Sequence, residues 1–358
     1  MKIIFTTKRY LPYIGGVEIY IQSIAKKLHN DGHEVTIITA DINISKILFE
    51  QIDDMRVIRL PCSSLAGIYI PKHKKDLNVL DKEISKADVI HINDCKFLYR
   101  YFAKRKIRYG YKLIISSHGW LFHTKNHQKI KEIYFNHIVK RYAPMFDEII
   151  CVSSQDKNIA ERYGINNVKM ILNGADINKY SNLDPKATFD YNFFYWGRIS
   201  KNKGIYECLK KLATLECHYL FKIAGVCENV EYMEKLKIFI DKYNMYDKIS
   251  FLGLISDEEI RNHINEADVI LMPSLYEGFG LTLVESLLSG RIIIANRIES
   301  YEYILKEVGA EEFLFDYQDE NASFMRKINE LRENKTVPHS VDVFSTERMI
   351  DHTISCYM

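Results

Sequence analysis

Short apolar segments alternate with amphipathic segments along most of the chain. After KIIFTT, apolar residues recur at helical spacing at Val17, Ile21, Ile24, Ala25 and Leu28. The strand-like segments EVTIIT, RVIRLP, DVIHI, KLIISSH, DEIICVS and VKMIL follow, and a helix is expected over 154–163. Strands that alternate with helices predict β-α-β units, a parallel sheet and right-handed crossovers.

The pattern breaks over 173–192, a polar, turn-rich segment that contains Pro185. A second series then begins, with the predicted strands NFFYWG, LFKIAG, KISFLG, DVILMPS and RIIIAN. Helices are expected from about Lys203, over about 230–242 and 257–265, and from about Leu281. We therefore predict two α/β domains: an N-terminal domain of residues 1–172, a linker of 173–192 and a C-terminal domain of 193–343.

Composition narrows the class of protein. The 358 residues are 47% hydrophobic and 27% charged, as in ordinary soluble globular proteins. The seven cysteines are odd in number and none has C-x-x-C spacing, which argues against a disulfide framework or a zinc ribbon and for a reducing compartment. The first residues, MKIIFTTKRY, contain too short an apolar stretch for a signal peptide. No apolar run approaches the ~18 residues of a membrane span. We expect a cytoplasmic protein.

Charge is unevenly distributed along the chain. Residues 1–150 carry 25 Lys and Arg against 15 Asp and Glu, a balance of +10, while residues 151–358 carry 24 against 32, a balance of −8. Within 96–141 there are 12 basic residues and a single acid, Glu132. This asymmetry indicates that the first half faces an anionic partner, unless the stretch is only a solvated basic face.

Open parallel sheets bind ligands beyond the carboxyl ends of their strands, so the loops after strands are the informative ones. After the first strand, Gly15 and Gly16 precede a helix, where glycines let the backbone approach an anion or simply form a turn. Their spacing is not G-x-G-x-x-G, so the dinucleotide fingerprint is absent. After KLIIS comes His118, and within DVIHIND comes His91. Each histidine is either a ligand-binding group or a hydrogen-bonded structural one.

Two loops of the second half concentrate chemistry. After NFFYW, Gly197, Arg198 and Lys203 precede a predicted helix start, where cations are electrostatically misplaced unless an anion lies between them or the loop is fully solvated. After DVILMPS, residues 277–280 (EGFG) join a strand to a helix, and Glu285 follows on an apolar stretch. A carboxylate there needs a partner, which ribose hydroxyls or a salt bridge would supply. Together the loops predict a ligand with hydroxyls at both ends and anionic groups between them, as in a nucleotide diphosphate sugar.

These motifs resemble those of glycosyltransferase family 4, the retaining enzymes of GT-B fold. The resemblance spans nearly the whole chain and rests on E-x7-E within SLYEGFGLTLVESLLSG, on GRISKNKG, and on GGVE. DVIHIND, HGW, ICVSSQ, LNGADINKY, FKIAG and ISFLG support it in order and spacing. It implies two Rossmann-like domains that face each other across a cleft. It also implies that the last helix, over 344–358, crosses back onto the first domain.

The resemblance also implies roles for individual residues. Arg198 and Lys203 would hold the donor diphosphate, and Glu277 would contact donor-sugar hydroxyls. The implied catalytic set is Glu277, His118, Arg198 and Lys203. The implied donor-binding set is Gly15, Gly16, Gly197, Arg198, Lys203, Gly225, Leu252, Gly253, Glu277, Gly278, Phe279, Gly280, Leu281 and Glu285. Two departures from the family are Cys227, where glycine is common, and ANRIESYEYIL, where G-G-x-P-E is common.

The expected reaction is transfer of a hexosyl group from a UDP- or GDP-sugar to a hydroxyl of a glycan or a polyprenyl- or lipid-linked acceptor, in cell-surface polysaccharide or glycolipid assembly. The chain contains no D-x-D, so we expect no metal and no other cofactor. We do not expect Glu277 to be a nucleophile, because the family favours a front-face path. The alternatives are a nucleotide-sugar 2-epimerase of GT-B fold and a non-catalytic nucleotide-sugar-binding subunit.

The basic stretch 96–141 mixes aromatic residues with Lys and Arg, a composition suited to an anionic membrane interface. We therefore expect peripheral association with the inner face of a membrane, where a lipid-linked acceptor would lie. Nothing beyond charge suggests nucleic-acid binding, and we expect none.

Overall fold

The computed structural model describes residues 1–13, 15–122, 128–180, 183, 186, 188–227, 229–319, 321–333 and 339–358. The chain forms two compact units: Met1–Gly174 together with Thr346–Met358, and Ala175–Ser345. Pro185 of the expected linker lies outside the described residues. Within that segment, Ala175 forms a β-bridge with Ser345, and the side chain of Tyr180 is fully buried.

The strands follow the predicted alternation. Those of the first unit are β1 Lys2–Thr7, β2 Glu34–Asp41, β3 Leu48–Ile52, β4 Met55–Leu65, β5 Ile68–Pro71, β6 Val89–Ile92, β7 Lys112–Ser116, β8 Glu148–Cys151 and β9 Lys169–Met170. Those of the second unit are β10 Asn192–Trp196, β11 Leu220–Ala224, β12 Ile249–Gly253, β13 Val269–Met272, β14 Ile292–Asn296 and β15 Leu314–Phe315.

Helices connect the strands. They are α1 Gly16–Asn30, α2 Lys74–Ile84, α3 Tyr99–Tyr109, α4 Gln128–Tyr134, α5 Lys140–Tyr142, α6 Ser154–Arg162, α7 Ile205–Leu212, α8 Val230–Lys242, α9 Asp257–Glu266, α10 Leu281–Leu287, α11 Glu299–Glu307, α12 Asn321–Glu333 and α13 Thr346–Ser355. A π-helical turn at Phe135–Val139 joins α4 to α5, and a 3₁₀ turn at Lys201–Lys203 precedes α7.

The first sheet has the strand order β3-β4-β2-β1-β6-β7-β8-β9, with β5 paired to β4. Every pairing is parallel except those of β3 and β5 with β4. Apolar side chains on both faces of this sheet form two buried clusters. Met349 of α13 packs into one of them, together with Cys356 and Tyr357, which follow the helix. The last helix therefore packs on the first unit, as predicted.

The second sheet is wholly parallel, with the order β12-β11-β10-β13-β14-β15. Its strands β10, β13 and β14 are buried along most of their length, which explains their nearly continuous apolar sequences. In each sheet the chain order reverses beside the unit's first strand, between β1 and β6 and between β10 and β13. These two points are the switch points, where parallel sheets bind ligands.

The elements that were not predicted from the sequence include β3, β5, β15, α2, α3, α11 and α12. The side chains of β3 are exposed or half-buried along its whole length, and β5 is only four residues long and buries only Tyr69. Helix α2 buries Leu80 and Ile84, but its other buried residue is Asp76, which masks the helical period.

Within the described residues, no helix is both long and apolar enough to cross a membrane. In the same part of the chain, no three His, Cys, Asp or Glu residues come together as metal ligands. All seven cysteines are free thiols.

Candidate active site

The loop after β10 is shaped by glycines. Gly197 and Gly204 have φ of +140° and +67°, values that favour glycine. A Cβ on Gly204 would lie 1.8 Å from the Pro273 carbonyl oxygen, so only glycine lets this loop pass the loop after β13. The Leu275 amide also donates to the Asn202 carbonyl at 2.8 Å. The two switch-point loops of the second sheet are therefore held against each other.

This close approach brings together two residues that are 74 positions apart. The ammonium of Lys203 contacts Oε1 of Glu277 as an ion pair, and both side chains are about one-seventh exposed, at 13% and 15%. Ser274 donates to the same oxygen at 2.9 Å, and the buried Tyr301 hydroxyl lies 3.4 Å from it. Arg198 is exposed, and no carboxylate within the described residues forms an ion pair with it. The resemblance implied separate roles, with Lys203 binding the diphosphate and Glu277 the sugar hydroxyls, whereas in the structure the two side chains form one cluster.

Residues 278–281 connect this cluster to α10. Gly280 has φ +114°, and a Cβ there would lie 2.7 Å from the Tyr301 ring, so the chain needs glycine at this position. Gly278 has open space around its Cα. Phe279 is buried against Phe344, at 5.7 Å between ring centroids, and so anchors the loop. Leu281 is the first residue of α10.

Glu285 has partners different from those of Glu277. Its side chain is 16% exposed and lies 3.8 Å from the ammonium of Lys179, which also contacts Asp257 at 2.9 Å. Burial raises the pKa of Glu285 despite the opposing effects of Lys179 and the Trp196 side chain. A protein cation therefore supplies the partner that this carboxylate was predicted to need.

Gly225, Leu252 and Gly253 of the implied donor-binding set lie at the ends of neighbouring strands. Gly225 follows β11, has φ +134°, and a Cβ there would lie 1.8 Å from the Gly197 carbonyl oxygen. Its amide donates to the Gly253 carbonyl at 2.7 Å, which joins the ends of β11 and β12. Leu252 is half-buried within β12. The structure thus gathers Gly197, Gly225 and Gly253 at one sheet edge.

In the first unit, Gly15 and Gly16 begin α1. A Cβ on Gly15 would lie 2.6 Å from Oε2 of Glu18, whereas Gly16 has open space around it. Glu18 is buried, and burial raises its pKa although Lys8 and Arg9 oppose the shift. The GGVE motif therefore places a buried acid beside the glycines, which the sequence reading did not single out.

His118 lies in a left-handed turn held by Asp156. His118, Gly119 and Trp120 have φ of +42°, +78° and +50°. Oδ2 of the buried Asp156 accepts from the Ser117 hydroxyl at 2.5 Å and from the Gly119 amide at 2.9 Å, while its backbone carbonyl accepts from the Trp120 indole at 3.0 Å. Burial raises the pKa of Asp156 to about 6. Such φ values strain residues with side chains, so the surrounding contacts must hold the turn in place.

The two histidines have different surroundings. His118 stacks edge-on against Tyr20 at 4.6 Å between ring centroids, and Nε2 lies 3.4 Å from Oδ1 of Asn93. His91 is sealed, with the Tyr357 hydroxyl 2.7 Å from Nδ1 and the Ser116 hydroxyl 2.8 Å from Nε2. Burial lowers the pKa of each imidazole to about 3. His91 is therefore a structural group that links β6 to the C-terminal segment.

A second charged cluster was not predicted. Lys8, after β1, contacts Asp94, after β6, at 2.9 Å. Burial opposes ionisation of Asp94, but Lys8 and Lys96 outweigh it and lower the pKa of this carboxyl. The only signal in the sequence was position, because both residues immediately follow strands that turned out to be neighbours.

Comparisons with known proteins agree with this architecture. The model of Glycosyltransferase Family 4 matches residues 14–179, and that of Glycosyl transferases group 1 matches residues 176–346. The GDP-mannose:cellobiosyl-diphosphopolyprenol alpha-mannosyltransferase of Xanthomonas campestris is 26% identical over 328 residues, covering 86% of this chain and 82% of the relative. The enzyme of the same name from Komagataeibacter xylinus is 22% identical over 317 residues, covering 87% and 79%.

Solved structures are similar over the full length. The Anabaena protein HepE, solved with UDP and glucose, superposes with a TM-score of 0.76 at 18% identity, covering 99% of this chain and 98% of that one. Sucrose-phosphate synthase from Thermosynechococcus elongatus gives a TM-score of 0.74 at 18% identity, with the same coverage. At this identity the likeness concerns the fold.

Proposed function

Because the chain belongs to glycosyltransferase family 4 and is a glycosyltransferase of GT-B fold, we propose that it transfers a sugar from a UDP- or GDP-sugar to a hydroxyl of a lipid-linked glycan, with retention of anomeric configuration. The observation that carries this proposal is the Lys203–Glu277 cluster at the switch point of the second sheet. Parallel sheets bind ligands at that place, and the cluster combines a cation, a carboxylate and two hydroxyls.

The cluster could contact both the departing nucleotide diphosphate and the transferred sugar. A departing nucleotide diphosphate develops negative charge, which the ammonium of Lys203 and the exposed guanidinium of Arg198 would stabilise without a metal. Glu277 is oriented by Ser274 and Tyr301, and as a carboxylate it accepts hydrogen bonds from sugar hydroxyls. Tyr301 belongs to the stretch that departs from the family pattern, so this chain builds part of its sugar contact in its own way. Lys203 and Glu277 pair with each other directly.

The names of relatives support the choice of substrates. The Xanthomonas and Komagataeibacter enzymes are named for GDP-mannose and a cellobiosyl-diphosphopolyprenol acceptor, and HepE was solved with UDP. We propose the same chemical classes here: a UDP- or GDP-sugar donor and a glycan carried on a polyprenyl diphosphate. Such an acceptor lies in a membrane, so the enzyme would work at the cytoplasmic face.

Two exposed isoleucines support peripheral membrane association. Helix α3 presents Ile107, which is 81% exposed, and α4 presents Ile133, which is 61% exposed, within the basic stretch 96–141. Exposed apolar side chains among cations suit an anionic interface. We expect flotation with vesicles rich in phosphatidylglycerol but not with phosphatidylcholine alone, and weaker flotation for Ile107→Glu. Absence of flotation with the vesicles rich in phosphatidylglycerol would remove membrane binding from the proposal.

The donor site is tested first by thermal shift with UDP, GDP, ADP and their sugars. We expect one nucleotide to raise Tm in wild type and in Arg332→Ala, a control that removes an exposed arginine of α12, and not in Arg198→Ala. Transfer is then measured with purified lipid-linked acceptor, with and without EDTA. Release of nucleoside diphosphate that requires acceptor supports a transferase. A new sugar epimer still attached to nucleotide would indicate the 2-epimerase, and donor binding without turnover would indicate a non-catalytic subunit.

A further inference from the structure

Lys96 is a buried cation without a carboxylate of its own. Lys96 is 8% exposed. Within the described part of the chain, no Asp or Glu lies within ion-pair distance of its ammonium. The neighbouring Asp94 is already paired with Lys8 at 2.9 Å and also accepts from the Lys96 backbone amide at 2.8 Å. Lysine is seldom buried unless it is paired. Within the described residues, Lys96 therefore has no carboxylate ion-pair partner, although its neighbour Lys8 has one.

The location is the one where a ligand is expected. Asp94 and Lys96 follow β6, and Lys8 follows β1, so the cluster lies at the switch point of the first sheet. The loop is rigidly held, because the Asn93 amide donates to the Thr6 carbonyl at 2.8 Å and the Tyr69 amide donates to the Lys96 carbonyl at 2.9 Å. The unpaired charge is thus part of a fixed structure rather than of an exposed side chain that can turn to solvent.

Electrostatics point to the sign of the ligand. Burial lowers the pKa of Lys96, and repulsion from Lys8 adds to this, although Asp94 opposes the shift. Burial and Lys96 likewise lower the pKa of Lys131. An anion entering the cluster would relieve this repulsion, whereas a cation or a neutral ligand would not.

We infer that Lys96 and Lys8 form a binding site for a phosphate or diphosphate group at the switch point of the first sheet. Lysine suits this ligand as a compact point charge. Asp94 positions Lys8 through an ion pair and holds the backbone of Lys96 through its other carboxylate oxygen. Assignment of the bound group to the diphosphate of a lipid-linked acceptor rests on the proposed function, whereas the anion site itself does not.

The test is isothermal titration of inorganic pyrophosphate into the full-length protein, with the donor site filled by whichever nucleoside diphosphate raised Tm, or left empty if none did. Wild type and two variants are compared. Lys96→Met removes the unpaired charge and keeps the apolar stem. Lys106→Met is the matched control, because this lysine of the same unit is already paired, with Asp147 at 2.6 Å and the Met145 carbonyl at 2.8 Å.

We expect Lys96→Met to weaken pyrophosphate binding at least tenfold and Lys106→Met to leave it within twofold. Without pyrophosphate, Lys96→Met should keep or raise Tm, because it removes an unneutralised buried charge, while Lys106→Met should lower Tm. Absence of pyrophosphate binding in wild type, or equal binding in wild type and Lys96→Met, would overturn the site. Pyrophosphate binding that depends on Lys96 in a protein that binds no nucleotide would keep the site and refute the proposed function.

A second titration distinguishes the two sources of the phosphate. Tighter binding of farnesyl diphosphate than of pyrophosphate, lost in Lys96→Met, supports a lipid-linked diphosphate. Equal binding of the two probes, both lost in Lys96→Met, supports a free phosphorylated acceptor. If both probes bind Lys96→Met as tightly as they bind wild type, the inference fails.

Discussion

Each unit places one lysine and one carboxylate across the switch point of its sheet. In the first unit, Lys8 follows β1 and contacts Asp94 after β6. In the second, Lys203 follows β10 and contacts Glu277 after β13. The same topology produces the same kind of pair, because the carboxyl ends of neighbouring parallel strands open at one edge.

The two pairs differ in the additional side chains that lie beside the carboxylate. Asp94 has a second buried lysine beside it, Lys96, whereas Glu277 has the hydroxyls of Ser274 and Tyr301. One cluster contains a buried lysine without an ion-pair partner among the described residues, and the other contains a carboxylate that hydroxyl groups orient. A shared fold therefore supplies the place of binding, and a few side chains after the strands decide between an anion and a hydroxyl-bearing ligand.

The glycine at the second switch point gives the largest expected effect. Gly204→Ala would place Cβ 1.8 Å from a backbone oxygen, so we expect a loss of at least about 4 kcal/mol in the free energy of unfolding. Gly309→Ala is the control, because Gly309 has a similar φ, +66°, and open space around its Cα. It should lose only about 1 kcal/mol. Urea denaturation measures both, and similar losses would show that the close approach to Pro273 is unimportant.

The ion pair of the second unit comes next. We expect Lys203→Ala to raise the donor KM and Glu277→Ala mainly to lower kcat, each costing about 100-fold in kcat/KM, or about 2.7 kcal/mol. Lys222→Ala serves as control, because it removes a partly exposed lysine of the same unit that pairs with Glu266 at 2.8 Å. Steady-state kinetics with donor and acceptor decide the matter. Wild-type kinetics in both site variants would show that the Lys203–Glu277 pair takes no part in donor binding or transfer.

The turn around His118 gives the smallest effect, and it depends on pH. Burial raises the pKa of Asp156 from the ordinary 3.8 to about 6, so the folded state retains this proton at higher pH than the unfolded state does. The contribution of this group to stability is therefore largest at low pH and is lost as pH rises to about 6 and above. Between pH 4.5 and 7 the loss should be about 2 kcal/mol.

Asp156→Asn removes this titration while retaining an oxygen that can accept from Ser117 and Gly119. The free energies of unfolding of wild type and variant are measured across the pH range. As pH rises from 4.5 to 7, the wild-type value should fall by about 2 kcal/mol relative to the variant, so the two curves should converge or cross. A pH-independent difference between them would show that Asp156 is not protonated preferentially in the folded state.

Much of the fold followed from the sequence. Alternating apolar and amphipathic segments predicted two parallel α/β halves because buried strands and helix faces must be apolar at periods of their own. The glycines and charged residues after NFFYW and DVILMPS were found for a similar reason, since they interrupt apolar segments at strand ends. Tyr301 and Asp156 were not found, because one lay in an unfamiliar stretch and the other inside a helix start that looked ordinary.

The sequence by itself determined the family, the alternation of strands and helices, and the residues Lys203, Glu277 and Glu285 as candidates, because local pattern and spacing carry that information. Only the tertiary structure decided which charges meet. Lys203 is 74 positions from Glu277 and Lys8 is far from Asp94, and strand order rather than chain order sets these distances. It also decided which charge remains unpaired, because neutralisation of Lys96 depends on every element packed around it.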